Sequence, residues 1–207
     1  MRHDGSYQGG TDERRSISGK DHAPGVAAEL KYKTPGRIAW CLTGAGHFLK
    51  GSIELALRLG DVTFFLSRSG EEVVAMYRLM DIIRDSGARV VYERSGSSPA
   101  CGEMDLGRFD LLVVAPATAN TVAKCVNGIA DTLPTNLFAQ AGKALVPSLF
   151  LPTDLEAGAI SVDPAGREFP VLSRKVDLEN VERLSSFPLV RVAVTLEQLE
   201  EWLTTSS

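Results

Sequence analysis

The segment 115–131 concentrates side chains that can bind an anion. It begins Ala-Pro-Ala-Thr-Ala-Asn-Thr, directly after a strongly apolar run, and ends Asn-Gly-Ile-Ala-Asp. Ala115 and Ala117 are small enough for a flat ring or a phosphate to approach the backbone, and Pro116 fixes the bend between them. Three polar residues follow at the predicted start of a helix, whose free N–H groups and dipole favour an anion. These residues are Thr118, Asn120 and Thr121.

The same pattern also has a purely structural interpretation. A Thr-x-Asn-Thr group at the start of a helix is typical of an N-terminal cap, in which side-chain oxygens accept hydrogen bonds from backbone N–H groups. Asp131 could likewise cap the segment that follows it. The residues alone therefore leave cap and ligand site both open.

A glycine-containing turn after the first predicted strand offers a second candidate site. Gly44 and Gly46 match the start of the G-x-G-x-x-G fingerprint for dinucleotides, but Leu49 replaces the third small residue. The second strand ends in Ser67-Arg68 instead of an acidic residue, although Arg68 could meet the 2′-phosphate of NADP. Because the chain has no Tyr-x-x-x-Lys pair of the short-chain reductase kind, a tightly bound dinucleotide is disfavoured. The glycines also fit an ordinary tight turn.

These candidates need a scaffold that brings separate loops together, and the apolar pattern predicts one. Continuously apolar runs alternate with helical patterns, which indicates an α/β fold: a three-layer Rossmann-like parallel sheet with helices on both faces, in a single domain. In such sheets ligands bind at the carboxyl ends of the strands, where the strand order reverses. Predicted strands cover 37–43, 61–67, 88–92, 110–115, 144–151 and 190–194, and predicted helices include 53–59, 71–84, 177–184 and 195–203.

The bulk properties disfavour several other classes of protein. The chain has 22 basic and 26 acidic residues, a net charge of −4 and no basic cluster, so nucleic acid is not an expected partner. No apolar run reaches the roughly 18 residues of a membrane helix, and no signal peptide is evident. Three widely spaced cysteines predict neither disulfides nor a metal site and favour the cytoplasm. Residues 1–35 are polar and are interpreted as a flexible tail, so the predicted flavoprotein domain covers 36–207.

Taken jointly, three motifs closely resemble the signature of the homo-oligomeric flavin-containing cysteine decarboxylase superfamily. They are the Thr-Gly-Ala-Gly turn, the Pro-Ala-Thr-Ala-Asn-Thr segment and the Asn-Gly-Ile-Ala-Asp segment. The resemblance covers nearly all of residues 37–203. It implies an FMN cofactor whose isoalloxazine ring sits between subunits of a trimer, in a homo-oligomer that can extend to a larger cage-like assembly.

The resemblance also implies roles for individual residues. Ser67 would contact the FMN phosphate, and Asn127, Gly128 and Asp131 would shape the trimer contact and the base of the pocket. The expected cofactor-binding residues are Thr43, Gly44, Ala45, Gly46, His47, Ser67, Arg68, Ala115, Pro116, Ala117, Thr118, Asn120 and Thr121.

Two departures from the family pattern distinguish between its branches. The decarboxylases carry a base histidine eight residues before the aspartate that opens the fourth strand, and counting back from Asp110 gives Gly102. Their substrate clamp, Pro-x-Met-Asn, is replaced here by Pro-Thr-Asp-Leu, so decarboxylation would lack its proton acceptor and its substrate orientation. The segments 43–47, 66–73 and 176–184 instead resemble archaeal-type flavoproteins, above all the FMN-dependent dihydromethanopterin reductases, which produce tetrahydromethanopterin.

A reductase of that kind stacks a dihydropterin on FMN and supplies a proton to a ring nitrogen. His47 is a candidate proton donor because histidine titrates near neutral pH, although it could instead cap the first helix or bond the flavin edge. Asp154 occupies the clamp position and could bind the amino-pyrimidine edge, or else cap a following helix. The electron donor would be NAD(P)H or a redox protein.

Two other functions stay open from the sequence. A pure electron-transfer flavoprotein would accept electrons from a ferredoxin and would need an acidic docking face and an open flavin edge. A flavin prenyltransferase-like enzyme would use FMN as a substrate, but the basic residues that would bind a prenyl phosphate are not evident.

Overall fold

The computed structural model describes residues 36–94, 99–155 and 159–205. Its centre is a sheet of six parallel strands in the order β3-β2-β1-β4-β5-β8. The predicted parallel α/β fold is therefore confirmed. The six strands are β1 (Ile38–Leu42), β2 (Val62–Leu66), β3 (Arg89–Tyr92), β4 (Leu111–Ala117), β5 (Ser148–Pro152) and β8 (Val190–Val192).

Helices cover both faces of the sheet because its central strands are apolar on both sides. Every residue of β1, β2, β4 and β5 is buried. One apolar core takes side chains from α1, α2, α3 and α7, and the other takes them from α4, α5, α6 and a short 3-10 helix at Pro99–Glu103. The helices are α1 (Leu49–Leu59), α2 (Arg68–Met76), α3 (Met80–Asp85), α4 (Ala119–Val126), α5 (Leu133–Lys143), α6 (Lys175–Ser185) and α7 (Leu196–Thr204).

The strand order reverses between β1 and β4. From β1 the chain proceeds to β2 and β3 on one side, whereas β4 begins the half that continues to β5 and β8. The loops after β1, β2 and β4 therefore meet at one carboxyl edge, on either side of a topological switch point. This edge is where ligands bind in open parallel sheets.

Several predicted boundaries were wrong in detail. The single helix expected at 71–84 is two helices, because Tyr77 ends α2 and Arg78 takes a left-handed conformation with φ of 57°. The fifth strand begins at Ser148 instead of 144, since α5 continues through Lys143. The fourth strand continues to Ala117, and its pairing with β5 shifts register between Val114 and Ala117, an irregularity at which a proline is tolerated.

An antiparallel hairpin after β5 was not predicted from the sequence. It consists of β6 (Ala159–Val162) and β7 (Glu168–Val171). The Tyr77 hydroxyl donates a hydrogen bond of 2.7 Å to the carbonyl of Val162, which ties the hairpin to the end of α2. Because the Tyr77 ring also lies directly beside Gly46, the hairpin is on the side of the molecule that carries the loop after β1.

Two further expectations concern the chain ends and membranes. The polar tail expected at 1–35 lies outside the described residues. No helix in the described part of the chain is long and apolar enough to cross a membrane.

Candidate functional site

Thr43 joins the first loop to the loop after β4. Its side chain is buried, and its Oγ1 donates a hydrogen bond of 2.7 Å to the carbonyl of Pro116. The same Oγ1 accepts a hydrogen bond of 3.0 Å from the backbone N–H of Thr118. The hydroxyl thus donates one hydrogen bond and accepts another, and both bonds hold the ends of β1 and β4 in register at the switch point.

Two glycines allow α2 to begin close to the first loop. A Cβ on Gly70 would clash with the carbonyl oxygen of Leu42, and a Cβ on Gly44 would lie 2.6 Å from the Cβ of Ser69. Neither contact is possible for a larger residue without movement of the backbone. Ser67 is the N-cap of α2, and its Oγ accepts a hydrogen bond of 2.9 Å from the N–H of Gly70.

Thr118 caps the second helix that begins at this edge, α4. Its Oγ1 accepts a hydrogen bond of 3.2 Å from the N–H of Thr121 and lies 2.9 Å from the Thr121 hydroxyl oxygen. Asn120 is exposed, and its amide has no hydrogen-bond partner within the described residues. The cap is therefore Thr118, and the amide of Asn120 is free to contact a ligand.

The starts of α2 and α4 border one cavity of about 480 Å³. This volume is within the range of small-molecule sites, which is about 300–1,000 Å³. Of the predicted cofactor-binding residues, the cavity brings together Thr43, Gly44, Ser67, Arg68, Thr118, Asn120 and Thr121. It is also lined by Ser69, Glu93, Lys124, Asp131, Thr132 and Pro134.

The remaining predicted cofactor residues do not line this cavity. Ala115 and Ala117 are fully buried within β4, together with Pro116 between them. Ala45, Gly46 and His47 belong to the first loop beyond Gly44 and are partly exposed. Contact of these residues with a flavin stays a prediction.

Two carboxylates at the cavity are each bonded to a donor group of the chain. Glu93 accepts a hydrogen bond of 3.0 Å from the backbone N–H of Arg68 at the start of α2. Asp131 pairs with Lys124, whose Nζ lies 2.8 and 3.0 Å from the two carboxylate oxygens. Among the cavity-lining side chains, the two basic groups are balanced by these two acidic groups.

The candidate catalytic residues His47 and Asp154 lie near each other, outside the cavity lining. Burial lowers the pKa of His47 below its usual value of 6.5, and the negative charge of Asp154 partly opposes this shift. At neutral pH the imidazole is therefore mostly uncharged. Its ring packs against Phe48, with the ring centroids 3.9 Å apart.

The structure also bears on the capping alternatives for these two residues. The N-cap of α1 is Phe48, without a side-chain cap, so His47 does not cap that helix. Asp154 accepts a hydrogen bond of 2.8 Å from the hydroxyl of Thr153, and the next described element after it is the strand β6. Hydrogen bonds to Asp177 raise the pKa of Arg174, and the negative charge of Asp154 adds a smaller contribution in the same direction.

Comparison with known proteins identifies the family. The family model described as Flavoprotein matches residues 27–201, most of the chain. This chain belongs to the Flavoprotein family. The family resemblance inferred from the sequence motifs is thereby confirmed.

Two relatives of this chain are named dihydromethanopterin reductase (acceptor). The protein from Methanocaldococcus jannaschii is 46% identical over 138 residues, which is 60% of this chain and 56% of the relative. The protein from Methanosarcina mazei is 44% identical over 141 residues, which is 62% of this chain and 59% of the relative. The matched region spans little more than half the length of these two reductases.

A solved structure matches over a larger part of both chains. It is DmrB from Burkholderia xenovorans in complex with FMN, described as a cubic protein cage for redox transfer. The TM-score is 0.75 at 40% identity, and the match covers 83% of this chain and 95% of that chain. The fold of this Flavoprotein-family chain therefore agrees with a relative that binds FMN.

Sequence reasoning missed several cavity residues of this Flavoprotein-family chain, and two of them carried a usable signal. Glu93 directly follows β3, so the rule that ligands lie at the carboxyl ends of parallel strands already pointed to it. Lys124 is four residues after Asn120 on α4, which places the two side chains on the same helix face. Thr132 and Pro134 carried no such signal, because their place beside the cavity depends on how α5 packs.

Proposed function

We propose that this chain is an FMN-dependent oxidoreductase of the dihydromethanopterin reductase type. The observation that supports it most strongly is the polar cavity at the switch point, bordered by two helix starts and set in a chain of the Flavoprotein family. Two relatives named dihydromethanopterin reductase support the substrate class, a dihydropterin that is reduced to the tetrahydro form.

The residues of the cavity fit the phosphate end of FMN. Ser67 and Ser69 stand at the start of α2, Thr118 and Asn120 at the start of α4, and helix starts favour anionic groups. The free amide of Asn120 is a donor that the fold itself does not use. We assign these residues to the ribityl phosphate, and the first loop, 44–47, to the flavin ring.

When bound, FMN supplies the transfer of a hydride equivalent to the substrate. The chain's own residues orient the pterin and provide a proton. We assign the amino-pyrimidine edge of the pterin to Asp154, because a carboxylate accepts two parallel N–H groups. We assign proton delivery to a pterin ring nitrogen to His47, whose imidazole lies close enough to Asp154 for their charges to interact.

The test of this function is anaerobic kinetics with the purified protein. The protein is first loaded with FMN, then mixed with dihydropterin at increasing concentration, with either NADPH or a reduced ferredoxin as the electron donor. We expect saturable formation of tetrahydropterin with one of the two donors. Flavin reduction without any saturable pterin turnover would contradict the reductase and favour a pure electron carrier.

The proposal also includes the assembly and the compartment. Since DmrB forms a cage, we propose a trimer-based homo-oligomer for this chain as well. Light scattering should then show little of the 22.3 kDa monomer, and a flavin-saturated monomer would contradict the proposal. We propose the cytoplasm because the three cysteines are buried thiols that form no disulfide bond, and burial raises the pKa of Cys125 to about 12.

A further inference from the structure

Glu93 holds a negative charge at the start of α2, inside the cavity. Its backbone is fixed beside β2, since the N–H of Glu93 donates a hydrogen bond of 3.0 Å to the carbonyl of Leu66. Its carboxylate accepts the N–H of Arg68, the first residue of α2, at 3.0 Å. The position that a helix start offers to an anion is therefore occupied by a carboxylate of the chain.

The other donors at this helix start show what a phosphate would meet there. The N–H of Gly70 is bonded to Ser67 Oγ, the N–H of Glu71 donates to the carbonyl of Ser67, and the N–H of Ser69 has no hydrogen-bond partner within the described residues. The N–H of Arg68 is bonded to the side chain of Glu93, which can change its rotamer, and not to a group of the helix itself. A phosphate that enters at α2 has to displace the Glu93 carboxylate or lie beside its charge.

We propose that Glu93 is a specificity-determining residue of the FMN site, which excludes small anions from the α2 start and is displaced by the FMN phosphate. This inference rests on the proposed function. A free phosphate or carboxylate brings only its charge and competes poorly with a carboxylate that is part of the chain. FMN displaces it because the ribityl chain and the ring add contacts elsewhere.

The opposite side of the cavity is built differently. There Asp131 neutralises the ammonium group of Lys124 through two hydrogen bonds. Its carboxylate covers a flexible side chain and no N–H of a helix start. Asp131 therefore provides the comparison: its neutralisation frees a cation, whereas neutralisation of Glu93 removes a negative charge from a helix start.

The decisive variant is Glu93→Gln, because the glutamine oxygen still accepts the Arg68 N–H while the charge is lost. Flavin-free protein is titrated with FMN and with riboflavin, and binding is followed by quenching of flavin fluorescence. We expect FMN to bind about 5- to 20-fold more tightly than in the parent protein, and riboflavin within about 2-fold of it. The matched control is Glu72→Gln, an exposed residue of α2 outside the cavity lining, which should change neither affinity.

A flavin-independent arm uses inorganic phosphate alone. Phosphate at millimolar concentration should raise the melting temperature of Glu93→Gln and of Glu93→Ala more than that of the parent or the control. Equal shifts in all four proteins would overturn the inference, as would weaker FMN binding in both Glu93 variants. Tighter FMN binding in Asp131→Asn but not in Glu93→Gln would also overturn it. A parent that binds no flavin would refute the proposed function, and the phosphate arm would still decide on Glu93.

Discussion

The cavity and the pair formed by His47 and Asp154 are adjacent, yet they are built in opposite ways. Around the cavity, Thr43, Ser67 and Thr118 use their hydroxyl groups to join loops and cap helices, with bonds of 2.7 to 3.2 Å. Among the described residues, Asp154 has one short hydrogen bond, from its neighbour Thr153, and His47 contacts Phe48 through its ring. The hydroxyl groups around the cavity are fixed by the fold, whereas the polar groups of His47 and Asp154 are available to a ligand.

This difference indicates that the two regions have different functions. A rigid, hydrogen-bonded frame suits a cofactor that stays bound, because its groups are already oriented when the ligand arrives. Polar groups with few partners suit a substrate that must enter and leave in every cycle. Substitutions in the first region should therefore change flavin affinity, and those in the second should change turnover.

The largest effect is expected for Asn120→Ala. Each hydrogen bond to a charged group contributes about 1.5–3 kcal/mol, so the affinity for FMN should fall by about 10- to 150-fold. Fluorescence titration of the flavin-free protein measures it, with Gln140→Ala on α5 as a control amide outside the cavity. Unchanged affinity would remove Asn120 from the phosphate site.

A comparable effect on a different quantity is expected for Asp154→Ala. Turnover of dihydropterin should fall by about 10²-fold if the carboxylate orients the substrate, since lost positioning commonly has that effect. FMN should stay bound, and reduction of a quinone, which needs no orientation, should be nearly intact. Equal loss of both activities, or loss of flavin, would contradict the separation of the two regions.

Thr43→Val tests the frame itself. The substitution keeps the shape of the side chain but leaves the carbonyl of Pro116 and the N–H of Thr118 without their partner. The free energy of unfolding should fall by about 1–3 kcal/mol, measured by urea denaturation. Thr63→Val, a buried threonine of β2 outside the site, is the control, and equal losses in both would argue against a special role of Thr43.

The smallest effect concerns the pH dependence of turnover. Since burial lowers the pKa of His47 below 6.5, the protonated donor becomes more abundant as the pH falls through that lowered pKa. The value of kcat/KM for dihydropterin should therefore rise on acidification, and His47→Gln should flatten this rise. Asp154→Asn removes the charge that opposes the shift, so any remaining rise should move to lower pH. A profile that His47→Gln leaves unaltered would exclude His47 as the proton donor.

The sequence predicted the sheet well because each central strand is a continuous apolar run. It could not predict the break at Tyr77–Leu79, since Arg78 adopts a left-handed conformation that is normally associated with glycine. The hairpin β6–β7 was also missed, although Asp163-Pro164-Ala165-Gly166 is a recognisable turn. Both depend on packing at the site edge, where Tyr77 contacts the first loop and the hairpin.

The candidate site was predictable to the extent that its residues follow strands. Motif and topology together identified the residues at the ends of β1, β2 and β4. The ion pair of Lys124 with Asp131 was not foreseen, because it depends on how α4 and the start of α5 approach each other. Asp131 was expected at a trimer contact and at the base of the pocket, and within the single chain it lines the cavity.

A crystal structure of the protein in complex with FMN would show where the cofactor phosphate binds. We expect the phosphate to lie at the start of α2, within hydrogen-bond distance of the Arg68 N–H, and the Glu93 carboxylate to have left that group. We also expect the Asn120 amide to contact the cofactor and the flavin ring to extend toward His47. A phosphate bound outside this cavity, or an FMN molecule that leaves the Glu93 contact with Arg68 intact, would contradict this proposal.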